Sequence, residues 1–264
     1  MGICVENIKK TKRIVIKIGS ASLTHATGKL NIKRIENLVK AISDFSNMGK
    51  EIILVSSGAI SAGAAKLGMC APLSKIEDKK AAAAAGQAEL MGIYDRFFSS
   101  FGIKIAQILL TRDVIDDEMR RQTAEKTFSV LISLGCVVIV NENDPISNDE
   151  LKFSGNDILA AYVSNICGAD LMINLTDRDG VYDKNPAKFK NAKLIHRIGE
   201  LTPEILSYAG GAGAAGTGGF VTKLEAAQMI AANNIPTVIA NAKKPEILYD
   251  ILLDGNIAGT YIGN

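Results

Sequence analysis

Short runs of aliphatic and β-branched residues alternate along the chain with longer segments in which apolar positions return every three or four residues. The runs are RIVIKI (13–18), EIILVSS (51–57), IKIAQILL (103–110), CVVIV (136–140), DLMINL (170–175) and PTVIA (236–240). They are short, nearly continuously apolar and rich in Ile and Val, as strands covered on both faces are. Between the first two, NIKRIENLVKAISDF repeats apolar residues at i, i+3 and i+4 and predicts a helix over about 31–47. Further helices are predicted over about 78–100, near 117–134, across NDILAAYVSNICG, near 202–208 and over 221–233. This alternation predicts an α/β protein: a three-layer αβα sandwich around a mainly parallel central sheet. No linker rich in Pro, Ser or charge divides the chain, so one domain over 1–264 is expected.

One residue breaks the first run. Lys17 stands where a buried strand packs isoleucine, and an ammonium group costs several kcal/mol to bury without a partner. In a parallel sheet with both faces covered, the open place is the carboxyl edge, where ligands bind. Lys17 lies at that end, two residues before Gly19, and its expected partner is an anion.

Other polar groups fall at the same edge. After the second run, VSSGAISAG (55–63) turns from strand to helix, and Ser57 with the N–H groups of Gly58 and Ala59 can hold a carboxylate or phosphate; helix capping by the serine is the simpler account. The fourth run ends in Asn141, Glu142, Asn143 and Asp144, acceptors suited to an ammonium group and equally suited to a turn before Pro145. Asn156 and Asp157 open a helix, where N-capping is their default role. Thr176 and Asp177 close the fifth run, again with turn chemistry as the plain reading.

Late in the chain, GTGGFVTK (216–223) leads straight into LEAAQMIAANN. Thr217, Gly218 and Gly219 at a helix entrance let backbone N–H groups turn toward a phosphate. Lys223, read as lying in the first turn, opposes the helix dipole but suits the same phosphate. Gly211, Gly213 and Gly216 spell GxGxxG, but LTPEILSYA before them reads as helix rather than strand, so the dinucleotide fingerprint is rejected. Donors for phosphate and acceptors for ammonium at one sheet edge point to a nucleotide together with a small amino acid.

Composition narrows the partners. Net charge is +2, no run of five like charges occurs and tryptophan is absent, which leaves no footprint for nucleic acid or a membrane surface. The four cysteines are scattered without a CxxC pair, as in a reducing compartment, and the two histidines lie far apart, so a metal held by side chains alone is not expected. No signal peptide or 18-residue apolar stretch is present, and a cytoplasmic location is expected.

The ordered set VIKIGSASL, LVSSGAISAG, GQAELM, QILLTRD, VIVNENDP, NDILAA, LTDRDGVYD and GTGGFVTKLEAA resembles the glutamate 5-kinase family, of the amino-acid kinase superfamily, over nearly the whole chain. The resemblance implies the amino-acid kinase fold and ATP-dependent phosphorylation of the side-chain carboxylate of L-glutamate, with Mg²⁺, at the first step of proline synthesis. By matching motif, Lys17 and Lys223 contact the phosphates and the transferring group, and Asp157 orients the two lysines. Ser57 with Gly58, Asp144 and Asn156 hold glutamate, with Asn141 nearby; Thr176, Asp177 and the 217–223 segment, with Thr217, Gly218 and Gly219, bind nucleotide. Residues to about 165 then mainly serve the substrate and those from about 166 the nucleotide. Homo-oligomers and feedback inhibition by proline are further family expectations.

The chain departs from the family pattern in places. SGND stands where GDND is usual, so Gly155 replaces an acidic group; TAEKT (123–127) has Glu125 in place of an arginine; loop 210–215 is plainer; and the chain reads as a form without the C-terminal PUA domain. Two alternatives stay open: a kinase of this fold acting on another small acid, and a non-catalytic nucleotide-binding protein.

Overall fold

The computed structural model describes residues 8–70, 72–148, 153, 155–210, 218–243 and 245–263. Among the described residues eight strands form one sheet: β1 (Arg13–Ile18), β2 (Glu51–Ser56), β3 (Ile105–Leu110), β4 (Val137–Glu142), β5 (Leu171–Thr176), β6 (Arg197–Ile198), β7 (Thr237–Asn241) and β8 (Gly259–Ile262). Their order is β3-β4-β2-β1-β5-β7-β8-β6. All pairings are parallel except β7 with β8. The mainly parallel sheet expected from the apolar runs is therefore present. β1 lies inside it, with Lys17 in register with Val55 on one side and Asn174 on the other.

Alternation along β1 decides which layer each side chain meets. Ile14, Ile16 and Ile18 enter a cluster with helices α2 (Ile32–Asn47) and α4 (Ile76–Ser100), through residues such as Leu38, Ile42, Leu90 and Tyr94. Val15 faces the opposite layer, built by α6 (Glu118–Ser133), α7 (Asn156–Cys167) and α9 (Gly218–Ala231), through Phe128, Leu159, Val163 and Ile230. Lys17, two residues on from Val15, falls on that second face, under the N-terminal ends of α7 and α9. Further helices are α1 (Ser20–Leu23), α3 (Ala59–Lys66), α5 (Arg112–Asp116), α8 (Pro203–Gly210) and α10 (Ile247–Tyr249), the last running into a π-helical turn at Asp250–Asp254. Among the described residues no helix is long and apolar enough to cross a membrane.

Helices α3 and α4 touch through bare backbone. A Cβ on Gly86 would stand 1.8 Å from the carbonyl oxygen of Ala59, and one on Gly63 1.7 Å from that of Ala82. Gly86→Ala therefore forces the two helices apart and is expected to lower stability by about 1–3 kcal/mol, the usual cost of overpacking a close contact. Urea unfolding of the variant checks this, and an unchanged midpoint contradicts it.

Several boundaries differ from the sequence expectation. The polar pair Asn141 and Glu142 extends β4 beyond the apolar run, because β3 continues to pair there, Leu109 with Asn141 and Leu110 with Glu142. The segment expected as one helix near 117–134 is preceded by α5, and Asp117 caps α6 by accepting from the Arg120 N–H at 2.9 Å. The last helix of the second layer begins at Gly218 rather than 221. β8 and the helical turns before it were not foreseen; four residues pairing antiparallel to β7 leave little periodicity to read.

Candidate active site

At the carboxyl end of β1, Lys17 meets Asp157 from the first turn of α7 and Lys223 from α9. Lys17 Nζ lies 2.6 Å from Asp157 Oδ1, and Lys223 Nζ lies 2.9 Å from Asp157 Oδ2. Asn174, in register with Lys17 on β5, donates its amide to Oδ1 at 2.8 Å, and the Thr222 hydroxyl donates to Oδ2 at 3.1 Å. One carboxylate thus receives four donors. The three charged residues are 5% (Lys17), 5% (Asp157) and 8% (Lys223) exposed, so their charges are felt with little screening by water.

Among the described contacts, the cluster sets two ammoniums against one carboxylate. Burial is the largest influence on Asp157 and favours its neutral form; the charges and hydrogen bonds of both lysines outweigh it and take the carboxyl down to about 2. Burial likewise draws Lys17 below the ordinary lysine value, with Asp157 opposing the drop and Lys223 adding to it. Two ammoniums side by side at one place suit an arriving anion.

The cluster lies at a cleft of about 230 Å³ lined by Lys17, Ser57, Asn156, Thr176, Asp177 and Lys223, with the chain at 19–22 passing alongside. Six residues expected from the sequence therefore converge on one cavity. Gly58 follows Ser57 with φ 108°, a left-handed conformation suited to glycine, and starts α3. Ser57 Oγ accepts from Asn156 Nδ2 at 2.9 Å, and the same nitrogen donates to Asn141 Oδ1 at 2.9 Å. Asn141 thus stands directly behind Asn156. On the far rim the Thr176 hydroxyl donates to Asp177 Oδ1 at 3.1 Å.

Other expected residues are placed differently. Asp144 sits on the turn after β4, where its carbonyl accepts from the Ser147 hydroxyl at 3.3 Å; it is absent from the described lining of this cleft. Gly218 and Gly219 open α9, and Thr217 lies outside the described residues. Because α9 starts three residues early, Lys223 belongs to its second turn, not its first. Asn156 and Asp157 are not caps: Gly155 takes the N-cap position with φ 108° and ψ 169°, leaving both side chains for the site. That left-handed φ is readily adopted by glycine and strained for an acidic residue in its place. Glu125, the other departure, faces Arg121 on its own helix at 3.1 Å.

Asn174 was missed as a site residue, although it carried a usable signal: a polar side chain inside LMINL poses the same question as Lys17 inside RIVIKI. Thr222 lay within the 217–223 segment expected at the nucleotide, but its hydrogen bond to Asp157 was not foreseen.

The chain belongs to the amino acid kinase family, whose profile matches residues 12–241. Two solved structures share the fold: an isopentenyl phosphate kinase, with TM-score 0.67 at 20% identity over 95% of this chain and 99% of that one, and the UMP kinase from Bacillus anthracis, with TM-score 0.63 at 17% identity over 96% of each. Within the family, the chain is similar to proteins named glutamate 5-kinase. It is 47% identical to that of Clostridium perfringens (strain 13 / Type A) over 258 residues, 96% of each chain. It is 44% identical to that of Enterococcus faecalis over 258 residues, covering 96% of this chain and 95% of the relative.

Proposed function

We propose that this protein transfers the γ-phosphoryl group of ATP to the side-chain carboxylate of L-glutamate, giving L-glutamyl 5-phosphate for proline synthesis. The observation that carries the reading is the Lys17–Asp157–Lys223 cluster at the cleft. The level of identity to glutamate 5-kinases over almost the full chain supports the choice of acceptor.

A glutamate side chain with a pKa near ~4.3 is already a nucleophile at neutral pH, so no general base is required. The obstacle is a carboxylate approaching a polyanion. Two lysine ammoniums joined by one carboxylate answer it: they neutralise charge on the equatorial oxygens and are held in place before the substrates arrive. Asp157 aims both lysines and prevents their mutual repulsion from splaying the site. Ser57, Gly58 and Asn156, with Asn141 behind and Asp144 from the turn after β4, hold glutamate. Thr176, Asp177 and the 217–223 segment hold the nucleotide, so that the chain to about residue 165 mainly serves the acceptor and the chain from about 166 the donor.

Magnesium enters with the nucleotide, held by its phosphates. The described residues offer no group of three metal-ligating side chains, and Asp157 is already engaged by two lysines. When bound, the ion would supply charge neutralisation at the phosphates. A cytoplasmic location, self-association and feedback inhibition by proline accompany the reading.

Incubation with ATP, Mg²⁺ and hydroxylamine tests it. A hydroxamate is expected with L-glutamate, and only background with L-aspartate or N-acetylglutamate. Product from one of the other acids instead overturns the choice of substrate, and none from any acid overturns the activity. Asp144→Ala is expected to raise the KM for glutamate by roughly tenfold or more, the range for losing a charged hydrogen-bond partner, with the ATP KM little changed. A defect confined to ATP contradicts its placement on the acceptor side.

A further inference from the structure

Behind the cleft runs a buried chain of amides. Gln87 on α4 is 8% exposed and Asn141 at the end of β4 is 4% exposed. Asn141 Nδ2 donates to Gln87 Oε1 at 2.9 Å. Asn141 Oδ1 accepts twice, from the Glu142 backbone N–H at 2.9 Å and from Asn156 Nδ2 at 2.9 Å. Asn156 Nδ2 also reaches the Ser56 carbonyl at 3.1 Å and Ser57 Oγ at 2.9 Å.

The polarity of this chain is set by groups that cannot be reversed. A backbone N–H only donates, so the atom of Asn141 beside Glu142 is its oxygen. A backbone carbonyl only accepts, so the atom of Asn156 beside Ser56 is its nitrogen. Asn141 must then turn its own amide nitrogen into the core, where Gln87 Oε1 is the acceptor. Asn156, with the two hydrogens of its nitrogen shared among three acceptors, has its oxygen left for the cleft it lines. That oxygen suits an N–H donor, such as a substrate ammonium, and repels a carboxylate.

Gln87 is also held in place relative to Ser57. It follows Gly86, whose missing side chain lets α4 rest on the backbone of Ala59, two residues beyond Ser57. We infer that Gln87 is a positioning residue for the acceptor substrate: backbone groups set which way Asn141 and Asn156 face, and Gln87, by accepting from the Asn141 amide, holds Asn141 in its place behind Asn156, so that the Asn156 oxygen stands where an acid carrying an ammonium group can reach it. The inference rests on the glutamate-kinase reading above.

The test compares wild type, Gln87→Met and Gln87→Glu with L-glutamate and with glutarate, which has the same two carboxylates and no ammonium. Methionine keeps the length and removes the acceptor; glutamate keeps an acceptor for Asn141. Gln87→Met is expected to raise the L-glutamate KM about ten- to a hundredfold, because the buried Asn141 amide turns to find another acceptor and withdraws its support from Asn156. Its glutarate KM, its ATP KM and its kcat at saturating substrate stay within about twofold, a split that general loosening of the core does not produce. Gln87→Glu holds the L-glutamate KM within about threefold of wild type, since a carboxylate accepts as the amide does. An unmoved L-glutamate KM in Gln87→Met, or equal rises for L-glutamate and glutarate, overturns the inference. Should Gln87→Met fail to fold, a tenfold rise in Gln87→Glu overturns it instead. Wild-type protein inactive on L-glutamate overturns the proposed function and this inference together, whereas an active wild type with an unresponsive Gln87→Met overturns this inference alone.

Discussion

Lys17→Met is expected to slow phosphoryl transfer by on the order of 10²–10³, as for other lost electrostatic donors, while the protein stays folded. Methionine keeps the length and apolar stem of the side chain and removes its charge. The Asp157 carboxylate keeps Lys223, Asn174 and Thr222 as donors, so nothing charged is left stranded in the core. What disappears is one of the two ammoniums that line the cleft, and with it a donor for an arriving anion. Turnover at saturating L-glutamate and ATP measures the loss, and a thermal melt shows that the fold persists. Turnover within tenfold of wild type rules out the role given to this lysine.

Removing the other half of the pair acts on the fold itself. Asp157→Ala leaves Lys17 and Lys223 buried together without the carboxylate they share, a defect that costs about 3–5 kcal/mol. Activity should vanish too, but stability is the sharper readout because its pH dependence is diagnostic. In wild type, the Asp157 pKa is depressed from 3.8 to about 2, so its stabilising contribution is complete above 3.8 and is lost as pH falls through about 2. The variant has no such acid loss. On the alkaline side, Lys17 is already below 10.5 in wild type, so the unfolded chain binds more protons than the folded one between the lowered value and 10.5, and stability gained from this group rises with pH. Without Asp157 opposing the drop, that window widens in the variant. Urea unfolding from pH 3 to pH 10 should show a deficit that is largest near neutrality and shrinks at both ends; a constant deficit contradicts this account.

The layered sheet was legible because its runs are apolar where both faces are covered, and Lys17 was legible because it violated that rule. The same rule applied to Asn174 would have found the donor beside it. Polarity misled at the end of β4: Asn141 and Glu142 looked like a turn, yet strand pairing uses backbone groups and continues wherever the neighbouring strand continues. It misled again at α9, where glycines at 218 and 219 suggested loop, although the helix begins at Gly218 and packs against α7. Gln87 was quoted within GQAELM but had no visible task, because one polar residue on a long helix is indistinguishable from a solvated one until its neighbours are known. The meeting of Lys17, Asp157 and Lys223 was not derivable from spacing; it follows from β1 lying between β2 and β5 with α7 and α9 above it.

The strand order also bears on how the molecule assembles. Among the described strands β1 leaves the ribosome first, yet one of its two flanks is β5, beginning at Leu171, more than 150 residues later. Until then its edge has nothing to zip against, and the nascent protein must keep an aliphatic ribbon unsatisfied through most of translation. Contacts so remote in sequence slow folding, so this polypeptide should reach its final form late, and lean on chaperones more than its modest size suggests.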